Sequence, residues 1–362
     1  MQKQALFTSG VGGYHTYRIP ALVLAANGDL LAFCEGRRDG GGDTGKIDLL
    51  IRRSADHGAT WSDPAVVWAD GENTCGNPSP VVDPASGDVL LLATWNLGSD
   101  REAAIIARQS QDTRRVFLLR SRDHGKTWSN ANEITADVKQ PAWTWYATGP
   151  GAGIAVQRGP HKGRLIIPCD HIEGEGRFSH AIVSEDGGQT WRLGGRIGPG
   201  VNECEAVELA DGRLLMNMRN HLPSETHRKL AYSADGGESW NGLRSDPVLI
   251  EPVCQASIRR YRWPEGDQPG VIVFSNPACA HHPDRLGRRN LVLRASFDEA
   301  RTWPRAVVLH AGRAAYSDLA VAADGTIGCL FEGGETERFS EQIILARLGE
   351  AWLSGHQSAS SL

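Results

Sequence analysis

Hydrophobic positions in this chain come in short runs of three or four, each cut off by Gly, Asn or Asp. Residues 21–24, 30–33, 48–51, 89–92, 164–167, 214–216 and 271–274 carry such runs. Runs of that length between turn residues predict β-strands, and no stretch sustains the 3.6-residue stripe of an amphipathic helix. Several follow a hairpin signal: Asn27-Gly28, Ser86-Gly87, Asp211-Gly212 and Asp324-Gly325. Such pairs tolerate the positive φ of a two-residue turn. The pattern predicts an all-β chain of many short strands.

One polar pattern is superimposed on these runs. Ser54-Ala55-Asp56-His57-Gly58-Ala59-Thr60-Trp61 recurs with its first serine at Ser121, Ser184, Ser233 and Ser296. The shared form is S-x-D-x-G-x-[ST]-W, with Ala300 replacing Gly in the fifth copy. The Asp can accept backbone N–H groups across a tight turn, Gly permits positive φ, and the Trp can pack beneath. Five copies make this a repeat architecture. The serines advance by 67, 63, 49 and 63 residues, and the unmarked remainder holds about two more intervals. Repeats of three or four short strands with one turn motif each build a β-propeller, and this spacing predicts six blades.

Composition narrows the setting. The chain has 362 residues, a 40% hydrophobic fraction, 42 glycines and a net charge of -5. Nothing resembles a linker, so one domain over 1–362 is expected, with a disordered tail at about 355–362. The charge offers no basic face for nucleic acid, and no apolar stretch is long enough to insert in a membrane. The seven cysteines are odd in number and widely spaced, and the first ten residues hold no apolar signal core. Both point to a reducing, cytoplasmic setting for the chain as given, whereas a trimmed mature form would be secreted.

A propeller does not name a function, so charged residues beside strand-like runs carry the chemistry. Arg18 leads into Ile19-Pro20-Ala21-Leu22, Arg219 ends the run from Leu214, and Arg288-Arg289 precede Asn290-Leu291-Val292-Leu293. Taken singly, each is an ordinary strand-end arginine. Three in separate repeats predict a cationic cluster on the axis, suited to clamp a carboxylate.

These features together resemble the sialidase (neuraminidase) family. The likeness rests on the five turns, Tyr17-Arg18-Ile19-Pro20, Glu35-Gly36-Arg37-Arg38, Asn202-Glu203-Cys204-Glu205, Tyr316-Ser317-Asp318-Leu319 and Cys329-Leu330-Phe331-Glu332. The resemblance implies a six-bladed propeller that removes terminal sialic acids with retained configuration, acting on sialylated glycans or sialosides without metal or other cofactor. It implies that Arg18, Arg219 and Arg288 grip the sugar carboxylate, with Arg289 an alternative to Arg288. Tyr316 matches the family's nucleophile, since an anionic carboxylate would be repelled by the acid on the anomeric carbon. Glu203 matches its base partner, with Glu205 on the same strand face as the competitor. Asp43 in the glycine-rich loop 36–45 matches the acid/base, with Asp39 and Asp48 as alternatives. Arg37 matches a basic residue beside that acid, and Glu332 the carboxylate that orients Arg18. Asn77 and Glu102 are expected to line the subsites for O4 and the N-acyl group.

Other motifs weigh less. Gly40 to Lys46 resembles a phosphate-binding loop, but Ile47 stands where a Ser or Thr is needed. Cys279-Ala280-His281-His282-Pro283-Asp284 has no second ligand cluster at zinc spacing and is expected to be a loop. Trp143, Trp145 and Tyr146 are expected in a long loop that walls the acceptor side. The segment around Pro168-Cys169-Asp170-His171 lacks an aromatic pair expected for the sugar's glycerol tail. Trans-glycosylation and a non-catalytic sialic-acid-binding propeller are the competing functions.

Overall fold

The computed structural model describes residues 1–222, 224–280, 287–336 and 338–354. His281, His282, Pro283 and Asp284, and the tail 355–362, lie outside the described residues.

The described chain is almost wholly antiparallel β, and the predicted runs lie in strands. One sheet holds Thr16–Leu24, Leu30–Arg37, Ile47–Ser54, Thr74–Val82, Val89–Asn96, Arg115–Ser121 and Asn132–Glu133, with Ala65–Trp68 on Ile47–Ser54. A single bridge, Ile47 to Thr74, joins its two halves. The next sheet holds Trp143–Thr148, Leu165–Glu173, Gly176–Ser184 and Arg192–Ile197, and Ile154–Ala155 pairs with Leu165–Glu173. Val201–Glu208, Leu214–Asn220, His227–Ser233 and Asn241–Ile250 form a four-stranded meander. The last sheet runs Gln2–Thr8, Gln342–Leu348, Ile327–Gly334, Arg305–Val321, Arg289–Ser296, Val271–Pro277 and Ser257–Arg262. Its 17-residue strand Arg305–Val321 pairs with Arg289–Ser296 through its first half and with Ile327–Gly334 through its second.

The sheets close on themselves. Thr16–Leu24 touches Thr74–Val82 on one side and Arg305–Val321 on the other. Trp143–Thr148 meets Thr74–Val82, Leu165–Glu173 meets Val201–Glu208, and Ser257–Arg262 touches both Val201–Glu208 and Arg305–Val321. The ends are stitched by the N-terminal strand, which pairs antiparallel with Gln342–Leu348 from Gln2 opposite Arg347 to Thr8 opposite Gln342. Apolar clusters fill the spaces between sheets, as with Leu22, Leu30, Ala32, Leu330 and Leu345.

The five repeated turns share one hydrogen-bond set. In the second, Ser121 Oγ donates to Asp123 at 2.8 Å and accepts from the Gly125 amide at 2.8 Å. Asp123 also accepts from the Thr127 amide at 2.8 Å and its hydroxyl at 2.6 Å. Equivalent bonds close the turns at Asp56, Asp186, Asp235 and Asp298. Two consecutive residues take positive φ in each, as at His124 (60°) and Gly125 (80°), and the fifth does so with Glu299 (62°) and Ala300 (61°). Each terminal Trp packs on a different core cluster.

Candidate active site

At one end of the ring a cavity of about 120 Å³ opens on the axis. Its lining includes Arg18, Arg37, Asp43, Asn77, Glu102, Glu203, Arg219, Arg288 and Tyr316, drawn from segments spread over the whole chain. Apolar lining is sparse, so the cavity suits a charged, heavily hydroxylated guest rather than an apolar one.

Its floor is Tyr316. The hydroxyl donates to Glu203 Oε1, while Arg219 Nη1 donates to Glu203 Oε2 at 2.7 Å and to the tyrosine oxygen at 3.2 Å. The Arg18 and Arg288 guanidinium carbons stand 5.2 and 5.6 Å from the Tyr316 ring centre. Burial and the Glu203 charge push the phenol well above its ordinary range, against the pull of Arg219 and Arg288. The resting tyrosine is therefore protonated and donates its hydrogen bond to Glu203.

Arg18 is aimed from behind by Glu332. Its Nε and Nη2 donate to the two carboxylate oxygens at 2.7 and 3.2 Å. Glu332 also accepts the Ile19 amide at 2.9 Å and the Tyr316 amide at 3.3 Å, so one buried carboxylate ties the arginine strand to the tyrosine strand. Burial alone would lower the Arg18 pKa, but Glu332 and then Asp43 raise it. Arg288, also buried, donates from Nη2 to the Val253 carbonyl at 2.9 Å.

Asp43 overhangs the cavity on the loop after Leu30–Arg37, with its side chain 54% exposed. Arg37 Nη1 donates to it at 2.8 Å and to the Gly41 and Gly42 carbonyls at 2.6 and 2.9 Å, pinning the loop. Arg18 Nη1 lies 3.8 Å from Asp43. Burial pushes the Asp43 carboxyl up, but Arg37 and Arg18 outweigh it and hold the group at about 2. The other face of Arg37 is fixed by Glu35 at 2.7 and 2.9 Å.

The alternatives lie elsewhere. Asp39 is exposed and does not line the cavity. Asp48 is buried in a strand, where it accepts from Tyr14 at 2.7 Å and Arg38 at 2.9 Å. Arg289 is exposed at the start of its strand, whereas Arg288 is buried against the cavity. Glu205 sits beneath the floor, accepting from Ser257 Oγ at 2.8 Å and the Ile258 amide at 3.0 Å.

The aromatic segment departs from expectation. Trp143, Trp145 and Tyr146 form a strand, not a loop. Trp143 and Tyr146 are core, where Trp143 stacks on His171 at 3.5 Å, and only Trp145 reaches the cavity. The register against Leu165–Glu173 shifts between Trp143 and Tyr146, and all six residues of the strand are buried.

Arg114 and Asp170 are among the lining residues to which the sequence alone assigns no role. Arg114 is fully buried and bridges Asn96 Oδ1 at 2.6 Å, Thr94 Oγ1 at 2.8 Å, Asn77 Oδ1 and the Tyr146 carbonyl at 3.0 Å. Its guanidinium carbon lies 4.0 Å from the Trp145 ring centre, and burial lowers its pKa to about 10. An arginine leading into a strand-like run was the signal used for Arg18, and Arg114 before Arg115–Ser121 carries it too. Asp170, also buried, lines the cavity beside Asn202, and burial together with Glu203 raises its carboxyl well above the usual range. No local pattern marks it.

A ring of antiparallel sheets with a charged axial cavity is a β-propeller of the kind found in sialidases. The BNR repeat-like domain family matches residues 28–329. The sialidase of Micromonospora viridifaciens is 36% identical over 369 residues, covering 98% of this chain and 54% of that protein. The exo-alpha-sialidase of Aspergillus fumigatus is 31% identical over 94% of this chain and 86% of its own length. Among solved structures, the Hadza microbial sialidase Hz136 superposes with a TM-score of 0.84 at 28% identity, over 97% of this chain and 69% of that one. This chain belongs to the sialidase family. It spans about half the length of the Micromonospora relative.

Proposed function

We propose that the protein is an exo-α-sialidase that hydrolyses terminal α-linked sialic acids from glycans or simple sialosides, with retention. The scaffold is read as one catalytic domain over 1–362, a six-bladed propeller with five Asp-box turns. Splitting Arg305–Val321 at its bend, and the first sheet at its single bridge, leaves six sets of about four strands. The N-terminal strand completes the last of them. The observation that carries the functional reading is Tyr316 bonded to Glu203 under Arg18, Arg219 and Arg288.

Arg18, Arg219 and Arg288 hold the sugar carboxylate, which brings the anomeric carbon over Tyr316. The phenol oxygen attacks that carbon while Glu203 takes its proton, and the glycosidic C–O bond breaks. Asp43 donates a proton to the departing oxygen. Water then attacks the same carbon from the opposite side with Asp43 as base, the tyrosyl C–O bond breaks, and Glu203 returns the proton to Tyr316. Two inversions give retention. A neutral nucleophile avoids the repulsion that a carboxylate would meet, and the nearby guanidiniums stabilise the developing phenolate.

Asp43 at about 2 is a carboxylate in the empty site. Substrate carboxylate on Arg18 offsets one of the two charges that hold it down, so binding itself raises Asp43 toward the protonated form the first step needs. Arg37 keeps the loop in place, Glu332 aims Arg18, and Asn77 and Glu102 face the sugar's ring substituents.

Release of a fluorogenic aglycone from an α-sialoside tests the reading. Wild type should turn over, and Tyr316→Phe should lose a factor of about 10³ or more in kcat with the fold intact, the scale seen when a nucleophile is removed. Equal rates in both, or no turnover by wild type on any N-acyl form, would sink it.

A further inference from the structure

Arg288 is held differently from Arg18 and Arg219, the other two arginines of the clamp. Arg18 is paired with Glu332 and Arg219 with Glu203, but no carboxylate among the described residues forms an ion pair with Arg288. Its partner is the Val253 carbonyl at 2.9 Å. Val253 has φ +54°, a left-handed conformation unfavourable for a β-branched residue. Such strain persists only where the surroundings over-determine it.

What determines it lies one layer back. Arg228 and Glu251 form an ion pair at 2.7 Å, with side chains 0% and 1% exposed. Arg228 Nη1 also donates to the Cys254 carbonyl at 2.6 Å, so the pair grips Val253 from both flanks, at 251 and 254. The same pair reaches the Arg219 strand. Arg228 Nε donates to Asn217 Oδ1 at 2.7 Å, and Glu251 Oε1 accepts the amide of Asn220, next to Arg219, at 2.5 Å. Both Asn217 and Asn220 lie on Leu214–Asn220 with Arg219.

We infer that the buried Arg228–Glu251 pair is a positioning device for the carboxylate clamp, setting Arg219 and Arg288 relative to each other. This rests on the sialidase reading, in which those arginines grip the substrate. A buried ion pair is a poor way to gain stability, since apolar residues of similar volume serve as well or better. A planar guanidinium can hold two segments at fixed angles, which apolar packing does not. Neither residue touches substrate. Their effect passes through the strand register at Asn217 and Asn220 and through the Val253 carbonyl.

The test uses the 2,3-didehydro analogue of sialic acid as free acid and as methyl ester, which differ only in the group the clamp holds. Arg228→Lys keeps the charge and loses the fork. It should weaken the free acid ten-fold or more and raise KM for an α-sialoside similarly, with kcat within three-fold. The methyl ester should bind within two-fold of wild type. In an Arg288→Lys background the same change should add less than two-fold. Arg228→Met with Glu251→Leu is the second variant: it should fold and show the same selective loss. Equal weakening of acid and ester, an unchanged acid, or failure of both variants to fold would make the pair a folding element and overturn the inference. Should wild type itself not prefer acid over ester, the clamp reading falls and this inference with it.

Discussion

The rim turns and the axial cavity are built on opposite principles. Each rim turn is closed within eight residues: Ser, Asp and Thr bond to one another and to the intervening amides. The cavity is assembled across the chain: Arg18 meets Glu332, Tyr316 meets Glu203, and Arg114 meets Asn77. The turn tolerates repetition because its geometry needs nothing beyond itself. The cavity permits none, because each wall comes from a different segment with its own partners. Damage should therefore separate cleanly, with rim changes moving stability and axis changes moving catalysis.

The largest test of that separation is Arg219→Lys. The charge remains, but the guanidinium nitrogen that donates to both Glu203 and the tyrosine oxygen is lost. A loss of about 1–3 kcal/mol in transition-state binding, roughly five- to 150-fold in kcat/KM, is expected with Tm nearly unchanged. A fall in Tm without a change in kcat/KM would erase the contrast.

Asp123→Ala probes the rim. Hydrogen bonds from Thr127 and burial's opposing push leave Asp123 at about 2, against roughly 3.9 in an unfolded chain. Because the group is exposed, screening reduces the linked stabilisation to about 1 kcal/mol. That contribution is present above about pH 4 and fades as pH falls through 2. The variant should melt lower at pH 7 with KM unchanged, and the gap to wild type should narrow between pH 4 and pH 2. A gap that widens in acid would contradict the assignment.

The smallest effect belongs to the fifth turn. Ala300 holds φ 61° where the other copies use glycine. Ala300→Gly relieves about 1 kcal/mol of left-handed strain, but it removes a buried methyl worth about 0.8 kcal/mol and adds unfolded-chain freedom. Stability should stay within about 1 kcal/mol of wild type, read from denaturant midpoints. A gain well above that would mean the methyl packs on nothing.

Strand positions and the five turns were legible because both are local. Periodicity reports which face of a strand is buried, and the turn motif carries its own hydrogen bonds. The arginines were legible only as a set, since a single strand-end arginine is ordinary but three in separate repeats point to one axis. Arg114 carried the same mark and was passed over, and Asp170 carried none because its role depends on what faces it across the axis. Trp143 and Tyr146 misled because the same aromatic residues serve a buried strand or an exposed wall.

By itself, the order of residues determined how many short strands form, where they turn and which groups are available for chemistry. It also supplied the family pattern that singled out Tyr316, Glu203 and Asp43. Only the closed ring decided that Glu203 reaches the tyrosine while Glu205 lies beneath it, and that Arg288 is buried while Arg289 faces solvent. The reason is physical. Alternation fixes a side chain to one face of a strand, but depth along a shared axis is set by how separate sheets pack. No short stretch of chain contains that information.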